Sequence, residues 1–206
     1  MKVLLINGSP HENGRTYTAL SIVADCLKEE GIDTEILHIG NKPVGGCVAC
    51  GGCASIGKCV FNDIVNIALE KAKEADGLIF GSPVYYASPN GCMLSFMDRF
   101  YHAGAKSLEY KPGACIASAR RAGTTATIDA MNKYLTINNM PVVSSRYWNM
   151  VHGSSAADVL KDLEGVQIMK VLGKNMAWML RNIEAGKRVG VQVPVTDTKV
   201  FTNFIR

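Results

Sequence analysis

No apolar stretch of this chain approaches the ~20 residues that cross a bilayer. The N-terminal apolar run, Val3 to Ile6, is too short for a signal-peptide core and leads straight into Asn7-Gly8-Ser9-Pro10. A cytoplasmic protein with no membrane association is expected. Basic runs of five or more are missing too, and the 22 Lys and Arg against 18 Asp and Glu leave a net charge of only +4, evenly spread. Nucleic acid is therefore not expected as a partner. There is no internal repeat, no low-complexity segment, no credible Ser/His/Asp arrangement and no carboxylate pair. Hydrolytic and acid–base chemistry carried by side chains is thereby set aside.

What is present fits one α/β domain: 206 residues, 48% hydrophobic and 19% charged. Short apolar runs alternate with helical stripes. Strands are expected at Lys2–Ile6, Ile32–Ile39, Gly77–Ser82, Ala114–Ala119 and Pro141–Ser144. Helices are expected at Arg15–Glu30, after Asp63, after Pro89-Asn90 and over Thr124–Asn138. A long final helix should open at Ser154 or Ser155, run through Leu160, Leu163 and Met176, and close at Gly186; Trp178 reads as packing. Alternation of this kind predicts a doubly wound sheet of five parallel strands with helices on both faces. Residues 1–186 then form the domain, with an irregular Cys-rich loop at 41–61 and a tail at 187–206. Phe201, Phe204 and Ile205 in that tail call for shelter on a neighbouring subunit.

Ligands of such sheets lie beyond the carboxyl ends of the strands, where strand order reverses. The first loop there is Asn7-Gly8-Ser9-Pro10-His11-Glu12-Asn13-Gly14-Arg15-Thr16. Helix-start amides, the hydroxyls of Ser9 and Thr16 and the charge of Arg15 suit a phosphate. The loop misses the nucleoside-triphosphate pattern: five residues, not four, separate Gly8 and Gly14, and Arg15 replaces Lys. No G-x-G-x-x-G is present either, so a monoester phosphate held without metal fits better. The second loop, Gly81-Ser82-Pro83-Val84-Tyr85-Tyr86-Ala87-Ser88-Pro89-Asn90-Gly91, stiffened by two prolines, offers an aromatic wall for a flavin ring. The third, Ser118-Ala119-Arg120-Arg121-Ala122-Gly123, offers cations and amides for the negative charge of reduced flavin near N1 and O2. The aromatic segment Tyr147 to Gly153 is a candidate cover for the flavin or acceptor pocket; for Trp148 itself a core or subunit-contact role is preferred.

Four of the seven cysteines, Cys47, Cys50, Cys53 and Cys59, fall within thirteen residues. Four thiolates so close can ligate a [4Fe–4S] cluster. Zinc and metal-free thiols are the alternatives. Cys26, Cys92 and Cys115 read as small buried hydrophobes.

Gly8-Ser9-Pro10 through Gly14-Arg15-Thr16, then Gly81-Ser82-Pro83-Val84-Tyr85 with Phe96, Asp98 and Arg99 downstream, resemble the NADPH-dependent FMN reductases and iron–sulfur flavoproteins. The resemblance runs over roughly residues 1 to 145, a full domain in length. It implies a flavodoxin-like fold of strand order 2-1-3-4-5 with FMN at the strand ends. It places FMN phosphate on Ser9, Asn13, Gly14, Arg15 and Thr16, with His11 standing where relatives often carry Arg. It places the ring on Pro83, Val84, Tyr85 and Ser88. Cys47, Cys50, Cys53 and Cys59 match the compact motif of iron–sulfur flavoproteins. The implied activity is an oxidoreductase passing electrons from NAD(P)H, or a ferredoxin, through FMN to a quinone, flavin or other small acceptor, as a homodimer or homotetramer. The competing class is a non-enzymatic electron carrier like flavodoxin; a regulatory nucleotide-binding domain is a third.

Overall fold

The computed structural model describes residues 1–195, 200–202 and 204. Ile205, part of the expected packing tail, lies outside the described residues. The elements are β1 (Lys2–Asn7), α1 (Arg15–Glu29), β2 (Asp33–His38), α2 (Cys53–Ile56), α3 (Ile64–Glu74), β3 (Gly77–Tyr85), β4 (Ser88–Pro89), α4 (Gly91–Leu108), β5 (Gly113–Ala119), α5 (Thr124–Thr136), β6 (Met150–His152), α6 (Ala156–Lys161) and α7 (Leu163–Arg188). Five strands are parallel in the order β2-β1-β3-β5-β6, and β4 folds back antiparallel on the end of β3. This is the expected doubly wound sheet with one short strand added.

The continuous apolar strands reflect burial on both faces. Leu4, Ile6, Leu78, Phe80 and Cys115 face α3, α4 and α5, meeting Leu69, Phe96, Phe100 and Met131. Val3, Leu5, Ile79, Ala114 and Ile116 face α1 and α7, meeting Leu20, Val23, Met169 and Leu172. Helices α1 and α7 approach closely because position 173 lacks a side chain: a Cβ there would stand 2.9 Å from Cys26 Sγ. Among the described residues no helix is long and apolar enough to cross a membrane.

Several expectations are corrected. Pro141–Ser144 is not a strand; only Val142 bridges to Gly113, and the edge strand proper is β6, beginning at Met150 opposite Ala117. Four residues advance along β5 while eight advance along the edge, so the chain bulges out between them, carrying the T-shaped and exposed pair Tyr147–Trp148. The final helix is two helices. Ser155 starts α6 with a capping box, and Asp162 breaks the run and caps α7 by accepting from Gly165 N at 3.0 Å. That helix passes Gly186 and ends at Arg188. Trp178, read as packing, is exposed, as are Leu160 and Leu163, because only one face of each helix meets the sheet. Finally, β3 runs on to Tyr85, and Cys53–Ile56 forms a short helix inside the loop expected to be irregular.

On the β2 side, Glu35 accepts from Lys2 Nζ at 2.8 Å and from Lys71 Nζ at 2.6 Å, pinning β2 to β1 and α3. The bond from Lys2, then that from Lys71, hold the Glu35 carboxyl below the usual carboxylate range against the opposing effect of burial. A depressed folded-state pKa adds stability that is full above the unfolded value and lost as pH falls through the folded one. Glu35→Gln should therefore lower Tm near pH 6, and the gap to wild type should shrink toward about pH 3. Thermal melts across that range check this; an equal gap at both ends would show that the ion pairs are not its source.

Candidate functional site

The polar residues of the sheet gather at its carboxyl edge. Asn7, Ser82 and Ser118, all buried, end or nearly end the three central strands. Buried polar groups need partners, and theirs are the loops beyond.

In the first loop, Asn7 Oδ1 accepts from Ser9 N at 3.1 Å, and its Nδ2 donates to Glu12 O at 3.1 Å. Ser9 Oγ accepts from His11 N at 3.1 Å, and Gly14 N closes the turn on His11 O. His38 Nε2, at the end of β2, lies 2.7 Å from Ser9 O. Gly40 presses on the same carbonyl so closely that a Cβ would stand 2.0 Å from Ser9 O. The loop is thus shaped by its neighbours, and the helix it opens is left bare. Among the described residues no side chain caps α1 at Gly14, and its first turn holds no acid. By contrast α3, α4, α6 and α7 are capped by Asp63, Asn90, Ser155 and Asp162. A bare helix start with buried Thr16 beside it is a place for an anion.

The second loop is a hairpin. Val84 pairs with Pro89 and Tyr85 with Ser88 around a two-residue turn, Tyr86-Ala87, with φ of 50° and 57°. Both central residues at positive φ make a type I′ turn. Without glycine it costs on the order of 1–3 kcal/mol per residue. Tyr86 is fully exposed at the tip and Tyr85 is exposed beside it, while Pro83 is buried and Val84 half-buried. The third loop exposes Arg120 and Arg121 and ends at Gly123, which opens α5, again without a side-chain cap.

These loops are tied pairwise. Asn90 Nδ2 donates to Gly8 O at 2.6 Å, joining the second to the first. Thr16 Oγ1 and Ser118 Oγ share a buried hydrogen bond of 2.8 Å, joining the first to the third. Gly123 packs on Ala87 and Val84, joining the third to the second. The structure thereby brings Ser9, Gly14, Thr16, Val84, Ser118 and Gly123 into one tied unit. His11 and Asn13 stay exposed on the first loop, and Ser88 half-buried on the hairpin. Arg15 reaches sideways: its Nη1 donates to Gly153 O at 2.7 Å, fastening the loop after β6 to the site. From the sequence, Asn7 and Asn90 read only as members of their loops, His38 reads as structural, and Gly40 is not singled out. A polar Asn closing an apolar strand was the one available signal.

The four clustered cysteines line a single cavity with Val60, Phe61, Arg99 and His102. All four are free thiols, Cys47 and Cys50 exposed and Cys53 and Cys59 half-buried. Among the described residues no group of three or more His, Cys, Asp or Glu side chains is arranged to hold a metal ion. The donor set is nonetheless chemically suited to iron, with four sulfur donors around one space. The loop also winds tightly, with Ala49 at φ 51° and Gly51 at φ 70° between the first three cysteines. Arg99 is buried against this loop. Burial alone would push its guanidinium toward neutrality, but hydrogen bonds to Asp63 and then Cys59 outweigh that and hold its pKa above the usual value. Burial pushes the thiols of Cys26, Cys92 and Cys115 up, which keeps them protonated and inert.

A doubly wound sheet of this order, with tied loops and a bare helix start at the β1/β3 switch point, defines the flavodoxin-like class, in which FMN occupies that place. The chain belongs to the NADPH-dependent FMN reductase family, whose model matches residues 1–155. An iron–sulfur flavoprotein of Methanocaldococcus jannaschii is 33% identical over 193 residues, spanning 89% of this chain and 100% of that protein. Among solved structures, RosB with bound 8-demethyl-8-formylriboflavin-5′-phosphate superposes with a TM-score of 0.68 at 15% identity, over 100% of this chain and 94% of RosB. An archaeal flavodoxin superposes with a TM-score of 0.61 at 16% identity, over 88% of this chain and 99% of that one.

Thr16→Val keeps the shape but leaves the Ser118 hydroxyl buried without its partner, which costs ~1–3 kcal/mol. It should raise the Kd for FMN about tenfold, read by flavin fluorescence on deflavinated protein. Gly40→Ala should do more, since its Cβ meets backbone rather than a movable side chain. Wild-type affinity in both variants would remove this loop from the site.

Proposed function

We propose that the protein is an FMN-dependent oxidoreductase that takes reducing equivalents from NAD(P)H and passes them to a small acceptor such as a quinone, a free flavin, or an azo or nitro compound. The observation that carries this reading is the joining of three strand-end loops around the bare start of α1. Family membership and the riboflavin phosphate bound in RosB support the ligand class. Bound FMN supplies hydride and single-electron chemistry, so no acid–base side chain is needed. In this reading Ser9, Asn13, Gly14, Thr16 and the first-turn amides of α1 hold the phosphate. His11 and Arg15 place positive charge on the same loop. Pro83, Val84, Tyr85, Tyr86 and Ser88 flank the ring and keep water from one face. Ser118, Arg120, Arg121, Gly123 and the start of α5 set positive potential beside its N1 and O2 edge.

Cys47, Cys50, Cys53 and Cys59 would hold a [4Fe–4S] cluster, and a ferredoxin would then serve as donor. Their shared cavity and the name of the Methanocaldococcus relative support this. Exposed Val191, Val193, Val195, Val200 and Phe204 in the tail support a homodimer or homotetramer. A cytoplasmic location belongs to the same reading.

The test is anaerobic purification followed by an absorption spectrum, an iron and labile-sulfide assay, and NADPH and NADH oxidation with each acceptor. Flavin bands, about four irons per chain and acceptor-dependent NAD(P)H oxidation are expected. Flavin with no iron would leave a plain FMN reductase. Flavin that ferredoxin reduces but NAD(P)H does not would make the protein an electron carrier. No flavin after adding FMN would overturn the reading.

A further inference from the structure

We propose that Arg99 is the positioning residue of the cysteine loop: it donates Nε–H to Cys59 Sγ, fixes that ligand, and raises the reduction potential of the iron–sulfur group the loop takes. The inference rests on the cluster reading above.

Arg99 projects from α4, and its side chain is 2% exposed. A buried guanidinium persists only when its donors are satisfied. Four of its five N–H groups are. Nη1 donates to Asp63 Oδ2 at 2.7 Å and to Gly45 O at 3.2 Å. Nη2 donates to Asp63 Oδ1 at 2.9 Å, completing a bidentate fork. The fourth, Nε, reaches Cys59 Sγ at 3.2 Å. The guanidinium carbon also sits 4.9 Å from the centre of the Phe61 ring. One side chain thus grips the loop before its first cysteine, at its last cysteine, and beyond it.

Cys53 Sγ makes one long bond, donating to His102 O at 3.6 Å, whereas Cys59 is the most firmly anchored of the four. Asn66 of α3 holds its backbone from both sides, accepting from Cys59 N and donating to Cys59 O, each at 2.9 Å. Arg99 then fixes the sulfur. Cys47 and Cys50 are exposed on the outer turn of the loop. Cys59 is therefore the prepared ligand about which the others close.

The electrical consequence follows from charge. An N–H bond from a cation stabilises negative charge on sulfur, and hydrogen bonds to the sulfurs are among the factors that set cluster potentials. In the one-electron couple the reduced form carries the additional negative charge, so Arg99 favours it. A salt bridge serving only to cap α3 would have no such effect.

Arg99→Lys keeps the cation but loses the fork and the Nε donor. Asp63→Asn keeps a good helix cap but loosens the clamp that aims the guanidinium. Both should retain full FMN, and loss of the buried fork should lower the melting temperature of each. In Arg99→Lys the reduction equilibrium should fall about tenfold, roughly 59 mV for one electron, and iron loss to a chelator should be about tenfold faster. Asp63→Asn should move both readouts in the same sense by less. If Arg99→Lys does not fold, shown by lost FMN, Asp63→Asn decides on the same readouts. Wild-type potential and iron-loss time in variants carrying about four irons would overturn the inference alone. A wild-type protein that binds no iron would overturn the cluster reading and this inference with it.

Discussion

The site depends on one side chain, Asn90. It is buried where β3, α4 and the first loop meet. Its Nδ2 holds Gly8 O at 2.6 Å, its Oδ1 caps α4 by accepting from Met93 N at 3.0 Å, and its backbone N reaches Ser82 Oγ at 3.1 Å. An amide suits this position because it donates and accepts at once. An Asp could cap the helix but could not donate to Gly8. Through these bonds the start of a helix, the end of a strand and the turn of a neighbouring loop share one arrangement. The remaining ties, Thr16 to Ser118 and Gly123 on Ala87, close the ring of loops.

The loops were legible in the sequence because the rule that finds them is topological. Once Lys2–Ile6, Gly77–Ser82 and Ala114–Ala119 read as strands buried on both faces, their carboxyl ends had to be the ligand edge. The ties between the loops were not legible. Asn90 and Gly8 are 82 positions apart, Thr16 and Ser118 102, and His38 and Ser9 29. Local periodicity carries nothing about such pairs. The fifth strand failed for a related reason. Pro141–Ser144 has a strand's composition and does begin the edge through Val142, but the bulge that follows hands the pairing to Met150–His152. A break in register is a property of two strands together. The split of the final helix was closer to hand, since Asp162 followed by Gly165 three residues on has the spacing of a cap.

The two candidate centres use opposite physics. At the flavin edge side chains are consumed in shaping backbone, and the helix starts are left bare so that amides and dipoles face the ligand. At the cysteine loop the candidate ligands are side chains on a chain with little regular structure, and the order comes from outside, from Arg99 and Asn66. The first arrangement suits a large ligand with a fixed phosphate and a flat ring. The second suits a compact group that itself organises the chain around it.

Helix α4 joins these two solutions. Its cap, Asn90, belongs to the flavin edge, and Arg99 on the same helix belongs to the cysteine loop. Nine positions at ~1.5 Å each place them about 14 Å apart along one rigid axis. That axis is held in the core by Met93, Phe96 and Phe100, with Phe100 edge-on to Phe80 of β3. The positions of Asn90 and Arg99 relative to one another are thus set by the core packing of α4.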